Sequence, residues 1–131
     1  MFEKPDNALK FTFKKSERLS SKKYIKELFD NGSSFYLYPF KVIVLANTET
    51  EIDLNQILIT VPKRIYKRAV DRNKIKRLIR EAYRLNKHHL VKGTNQTFRI
   101  GYIYTAKECL TFHVIQDKLK LSLDRIIKES I

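Results

Sequence analysis

Twelve basic side chains crowd the thirty residues from Lys63 to Lys92, and only Asp71 and Glu81 oppose them. The whole chain carries a formal charge of +13 over 131 residues, so this one segment holds most of the excess while both flanks are nearly neutral. Like charges at this density repel one another until a polyanion supplies the countercharge, which points to RNA, DNA or an anionic membrane as partner. Chemistry carried by the protein itself is not suggested. Cys109 is the only cysteine, the three histidines lack metal-ligand spacing, and three glycines cannot build a phosphate-cradling loop. His88 and His89 are neighbours without further ligands, and Asp71 and Glu81, ten residues apart, do not converge as a catalytic pair would.

The spacing predicts a helix from about Ala69 to Asn86. In steps of about 100°, Ile75, Leu78, Ile79, Ala82 and Tyr83 share one arc, a core stripe. Lys76, Lys87, Arg80, Asn73, Arg84 and Arg77 share another, and Glu81 falls outside it. A solvated helix face ordinarily interleaves Glu with Lys at i, i+4, worth about 0.2–0.5 kcal/mol per pair. A comb of donors without acids forgoes that support, and a phosphate-binding role accounts for the sacrifice better than solvation does. Arginine outnumbers lysine on the arc, and its planar fork suits bidentate contact with phosphate.

The elements that must position this helix follow from periodicity and punctuation. Residues 1–15 read as an arm and residues 16–131 as a single α/β domain. Ser20 is the expected cap of a helix over 21–30, with Leu19 and Tyr24 as a hydrophobic staple, the stripe Tyr24, Ile25, Leu28 and Phe29, and Asn31-Gly32 as its stop. Phe40–Ala46 alternates as a strand, Thr48–Asn55 is a polar connection, and Ile57–Val61 is a second strand ended by Pro62. After the basic helix, Lys92-Gly93-Thr94-Asn95 marks a loop and Phe98–Tyr104 a third strand. Thr111 caps a last helix bearing Phe112, Ile115, Leu119, Leu123 and Ile126. The order describes an α/β (α+β) sandwich, a small mixed sheet with three helices. The longest apolar run, Val42–Ala46, is far short of a membrane span, and without a secretory leader or paired cysteines the expected compartment is the reducing cytoplasm.

The run Ala69-Val70-Asp71-Arg72-Asn73-Lys74-Ile75-Lys76-Arg77-Leu78-Ile79-Arg80-Glu81-Ala82-Tyr83-Arg84 closely resembles the signature of the protein subunit of bacterial ribonuclease P. Glu17-Arg18-Leu19, Leu28-Phe29 with Gly32, and Val61-Pro62-Lys63-Arg64 are similar to the family pattern in the same order, so the resemblance covers about residues 14–128. Lys74 stands where the family core usually has Arg; it keeps the charge and loses the fork. The resemblance implies a left-handed βαβ crossover, against the usual rule. It implies a catalytic RNA that uses Mg²⁺, mainly RNA-bound, to cut the 5′ leader from precursor tRNA, with no organic cofactor and with one protein per RNA. Arg72, Asn73, Lys74, Lys76, Arg77, Arg80 and, on the same comb, Arg84 are then expected to contact the catalytic RNA. Ile25, Phe29, Phe40, Val42 and Ile43 are expected at a central cleft for single-stranded leader, with Lys63 and Arg64 on its edge.

The residues alone leave other readings open. Phe29 and Phe40 read equally as plain core, and Tyr36, Tyr38, Tyr102 and Tyr104 stay unassigned. A ribosomal or assembly factor would use the same basic helix. A DNA-binding regulator is disfavoured because no second helix joined by a short turn precedes residues 69–86.

Overall fold

The structure is a computed structural model that describes residues 13–47 and 54–130; the expected arm as far as residue 12 and residues 48–53 of the polar connection lie outside them. Helices α1 (Lys22–Asn31), α2 (Ala69–Gly93) and α3 (Phe112–Ser130) pack on strands β1 (Ser33–Leu37), β2 (Phe40–Ala46), β3 (Gln56–Thr60) and β4 (Phe98–Tyr104). The strands form one mixed sheet in the order β1-β2-β4-β3. β2 is antiparallel to both β1 and β4, whereas β3 runs parallel to β4, to which it connects through α2. This is the expected α+β sandwich of three helices on a mixed sheet.

Strand alternation sorts the residues onto two unlike faces. Phe40 and Val42 of β2 join Ile57 of β3 and Phe98, Ile100, Tyr102 and Tyr104 of β4 in one core with Ile75, Ile79, Ala82, Tyr83 and Leu90 of α2 and Ile115, Leu119, Leu123 and Ile126 of α3. Phe40 meets Tyr102 and Tyr104 edge to face, with centroids 5.3 and 6.2 Å apart. The Tyr102 hydroxyl is satisfied by Ser122 Oγ at 2.7 Å, so the ring is fully buried at no polar cost. The other face is thinner. Among the described residues it is covered by α1 and by Leu19 ahead of it, which form a small cluster with Ile43 of β2 through Leu19 and Leu28.

Several expected boundaries move, each for a local reason. Ser21, not Ser20, caps α1, accepting a hydrogen bond from Tyr24 N at 3.4 Å, so the Leu19–Tyr24 staple is out of register by one residue. Gly32 ends α1 in extended backbone (φ −72°, ψ 153°) rather than in a left-handed cap. Its glycine is required by close approach: a Cβ there would lie 2.5 Å from Leu28 O and 2.8 Å from Ile43 Cγ2. β1 was not expected. It is an edge strand whose polar Ser33-Ser34 start hides the alternation of half-buried Phe35 and Leu37 with exposed Tyr36. α2 continues to Gly93 because Asn86 does not break it: buried on the core stripe, Asn86 Nδ2 donates to Ala82 O at 2.7 Å and Gln116 Oε1 at 3.0 Å, and Leu90 follows on the same stripe. Among the described residues no helix is long and apolar enough to cross a membrane.

Phe40 and Val42 therefore belong to the helix-side core and not to a cleft. Phe40→Ala should lower the unfolding free energy by about 3–5 kcal/mol, whereas Phe29→Ala, at a side chain 46% exposed, should cost under about 1 kcal/mol. Urea titration of the two variants checks this, and equal losses would contradict the assignment of Phe40 to the core.

Candidate nucleic-acid interface

The apolar stripe of α2 is pressed onto the sheet and α3, which turns the donor comb outward as its spacing requires. Asn73, Lys74 and Arg77 are exposed and Lys76 and Arg80 are half-exposed. Among the described residues, none of Lys74, Lys76, Arg77 and Arg80 forms an ion pair. Arg80 instead has other cations for neighbours: partial burial, then Arg18 and Arg77, depress its pKa. Uncompensated positive charge is thus concentrated on the first three turns of the helix, where its N-terminal dipole adds to it.

Farther along α2 the comb is closed by carboxylates. Glu81 grips Arg84 with two hydrogen bonds, Nε to Oε1 at 3.0 Å and Nη2 to Oε2 at 2.5 Å. The same contact holds the Glu81 carboxyl below the usual range, so the pair persists at neutral pH. Lys87 donates to Glu17 Oε1 at 2.7 Å, both side chains being largely buried, while Glu17 Oε2 accepts Lys14 N at 2.9 Å. Two of the six comb positions are consequently neutralised within the fold. Helical spacing located Glu81 outside the arc but could not show that Arg84 bends toward it, three residues away. Arg72, expected among the RNA contacts, directs Nη1 onto Tyr66 O at 2.7 Å and Lys67 O at 2.9 Å, bracing the turn before α2.

The segment ahead of α1 adds a cation that the sequence reading did not assign. Arg18 forms a parallel bridge to Ile57 at the outer edge of β3, and Leu19 N donates to Ile57 O at 2.9 Å. The Arg18 guanidinium lies 5.5 Å from the centre of the Phe13 ring, which packs edge-on to Tyr83 of α2 at 5.7 Å. The only forward signal was Glu17-Arg18-Leu19 within the family pattern.

On the thin face, Arg99 of β4, 4% exposed, anchors α1: Nη1 donates to Glu27 Oε1 at 2.8 Å, Nε to Asn47 Oδ1 at 3.1 Å, and the guanidinium stacks 4.4 Å from the Tyr24 ring centre. Leu28 can then sit directly on Gly101, where a Cβ would come within 3.3 Å of it. One register step beyond the Ile43–Gly101 pair lies the Lys41–Ile103 pair, flanked by Tyr36 and Thr60. There no described element covers the face: Tyr36 and Lys41 are exposed, and Ile103 and Thr60 half-exposed. Of the expected cleft residues, Ile25 of α1 packs against the cluster that buries Ile43 of β2, and Phe29 protrudes from α1. Lys63 and Arg64 are exposed on the turn that follows β3. Phe40 and Val42 are on the opposite face. Tyr36 stayed unassigned because β1 was not expected, and Lys41, on the expected strand β2, was not singled out as a site residue.

The family model for ribonuclease P matches residues 13–127. The chain belongs to the ribonuclease P protein family. The ribonuclease P protein component of Porphyromonas gingivalis strain W83 is 37% identical over 119 residues, covering 88% of this chain and 87% of that one. The ribonuclease P protein of Staphylococcus aureus, solved at 2.0 Å, superposes with a TM-score of 0.67 at 29% identity, over 84% of this chain and 94% of that one. The Thermotoga maritima ribonuclease P protein gives 0.67 at 29% identity, over 83% and 96%. As a ribonuclease P protein component, the chain is a subunit of a ribonucleoprotein of tRNA processing.

The Glu81–Arg84 clasp makes a direct expectation. Glu81→Gln should remove the carboxylate that opposes Arg84, raise the affinity for a polyanion such as heparin, and steepen the slope of log K against log salt by up to about one unit. Affinity measured across a salt series would show this, and an unchanged slope would mean that Arg84 is held by something other than Glu81.

Proposed function

We propose that this ribonuclease P protein binds the catalytic RNA of its ribonucleoprotein along the first turns of α2 and the 5′ leader of precursor tRNA along the uncovered part of the sheet, one protein per RNA. The observation that carries the reading is the carboxylate-free stretch from Asn73 to Arg80, which coincides with the family signature and whose polar side chains Asn73, Lys74, Lys76, Arg77 and Arg80 lie outside the core that buries Ile75 and Ile79. Placed between two polyanions, these cations lower their mutual repulsion, so that RNA association and substrate binding need less Mg²⁺. Lys74 contributes as a point charge, whereas Arg77 and Arg80 offer planar forks to phosphate.

The leader surface works by tolerance rather than by sequence readout. Phe29 and Tyr36 present rings to unpaired bases, and base stacking on such rings contributes about 1–3 kcal/mol per base with little sequence preference. Lys41, Lys63 and Arg64 supply backbone countercharge beside them. Hydrolysis belongs to the RNA, with Mg²⁺ activating water there. The ribonucleoprotein would act in the cytoplasm, where precursor tRNA is made.

The test is reconstitution. At low Mg²⁺, 5′ processing of precursor tRNA by the catalytic RNA should depend on added protein. Arg77→Ala and Arg80→Ala should each weaken assembly and reduce the salt slope by about 0.7–0.9 for each phosphate left without its cation, with the thermal midpoint nearly unchanged. Unaltered RNA affinity at physiological salt in both variants would overturn the assignment of α2.

A further inference from the structure

The open sheet face and the basic helix are joined by a continuous chain of hydrogen bonds. Thr105, just past β4, donates to Pro39 O through both N (2.8 Å) and Oγ1 (2.9 Å). Its hydroxyl proton being thus engaged, Thr105 Oγ1 accepts from the Tyr36 hydroxyl at 3.1 Å. The next residue, Ala106, accepts at its carbonyl a 2.6 Å hydrogen bond from Tyr66 Oη. Tyr66 in turn offers its own carbonyl to Arg72 Nη1 on α2 at 2.7 Å. Tyr36 on the sheet, Thr105, Ala106, Tyr66 and Arg72 on the helix form one line.

Tyr66 is the only side chain in that line that bridges the two surfaces, and it closes the turn bearing Lys63 and Arg64. Tyr66 N and Ile65 N both donate to Pro62 O, at 3.1 and 3.3 Å, so the two cations are carried on a single closed turn. The Tyr66 ring tilts against Tyr104 with centroids 6.1 Å apart, and Tyr104 is itself locked, donating to Glu108 O at 2.7 Å and accepting from Leu110 N at 3.0 Å. Burial, followed by the nearby Cys109, Tyr38, Glu108 and Asp71, raises the Tyr66 pKa and keeps its phenol a donor. Lys63 and Arg64 are exposed and form no ion pair among the described residues, so nothing but the turn aims them.

We propose that Tyr66 is a positioning residue for leader binding: its hydroxyl, anchored on Ala106, fixes the Lys63–Arg64 turn at the open end of the sheet, holding these cations at a set distance from the catalytic RNA on α2. The inference rests on the leader and catalytic-RNA surfaces proposed above. It adds a residue that touches neither nucleic acid.

Tyr66→Phe removes only the anchoring hydroxyl. In the reconstituted holoenzyme it should raise KM about fivefold for precursor tRNA with a full leader, the effect of one net hydrogen bond. It should leave kcat, affinity for the catalytic RNA, and KM for a precursor trimmed to a single leader nucleotide unchanged. Thr105→Val, which cuts the same line one link on, should show the same split. The double variant Lys63→Ala/Arg64→Ala should also raise the full-leader KM, and adding Tyr66→Phe to it should cause no further rise. If the double variant is impaired while Tyr66→Phe and Thr105→Val match the wild type, the positioning role is wrong and the leader surface stands. Equal rises with both substrates, or weakened assembly, would show that Tyr66 merely supports the fold. An unimpaired double variant would overturn the leader reading and this inference with it.

Discussion

Everything in this fold is arranged around one helix that must be held down against its own charge. Like charges four residues apart cost about 0.2–0.5 kcal/mol per pair on an isolated helix. Burying an aliphatic or aromatic side chain stabilises by about 1.5–3 kcal/mol, and α2 buries Ile75, Ile79, Tyr83 and Leu90 completely or nearly so. The stripe therefore dominates the repulsion several-fold, and the comb can be kept for a partner. A helix of the same outward face with a weaker stripe would need interleaved acids to stay folded, and those acids would cancel the charge that the partner requires.

The fold does not leave the whole comb open. Near the middle of α2 an acid of the helix itself clasps Arg84, and farther on an acid from the preceding segment reaches Lys87. In the first turns Asp71 pairs with Arg68, but among the described residues no acid clasps Lys74, Lys76, Arg77 or Arg80, and Arg18 is brought in from the β3 edge to join them. Positive potential is graded along the helix, strongest where the helix dipole is also positive. In the proposed reading a polyanion is directed to that end of α2, which is the end that emerges beside the Lys63–Arg64 turn.

The legible parts of this arrangement were those with a strong period. The stripe and comb of α2, the alternation of β2 and β4, and the Ile115, Leu119, Leu123, Ile126 ladder of α3 could be read directly from spacing. What failed depended on partners distant in sequence. β1 is held by its pairing with β2, and nothing in Ser33-Ser34 announces that. Asn86 looks like a terminator until Gln116, thirty residues away, satisfies it. Phe40 and Val42 could have faced either side of the sheet, because β2 is apolar on both: Ile43 and Leu45 alternate with them. Only the helices that settle on each face decide which set is core. Lys87 and Arg84 counted as free donors on a wheel because a wheel contains neither Glu17 nor the bend of a side chain toward Glu81.

The sharing of helices between the two apolar faces of β2 also explains why the described part of the sheet has an open face. Four strands at about 4.8 Å spacing make a sheet roughly 15–20 Å wide, and a helix with its side chains is about 10 Å across. Two helices, α2 and α3, suffice to cover one face, and every residue of β4 on that side is buried. The other face receives α1 alone, ten residues and about 15 Å long. Gly32 and Gly101 let that helix settle close to the sheet, which makes the covered patch tight and small. Among the described residues no further element is laid down beyond α1 on this face, and Tyr36, Lys41, Thr60 and Ile103 stay accessible. The sheet surface proposed for leader is thus the remainder left when an odd number of helices is shared between two faces, and polar or half-polar residues at those positions are what make the remainder stable in water.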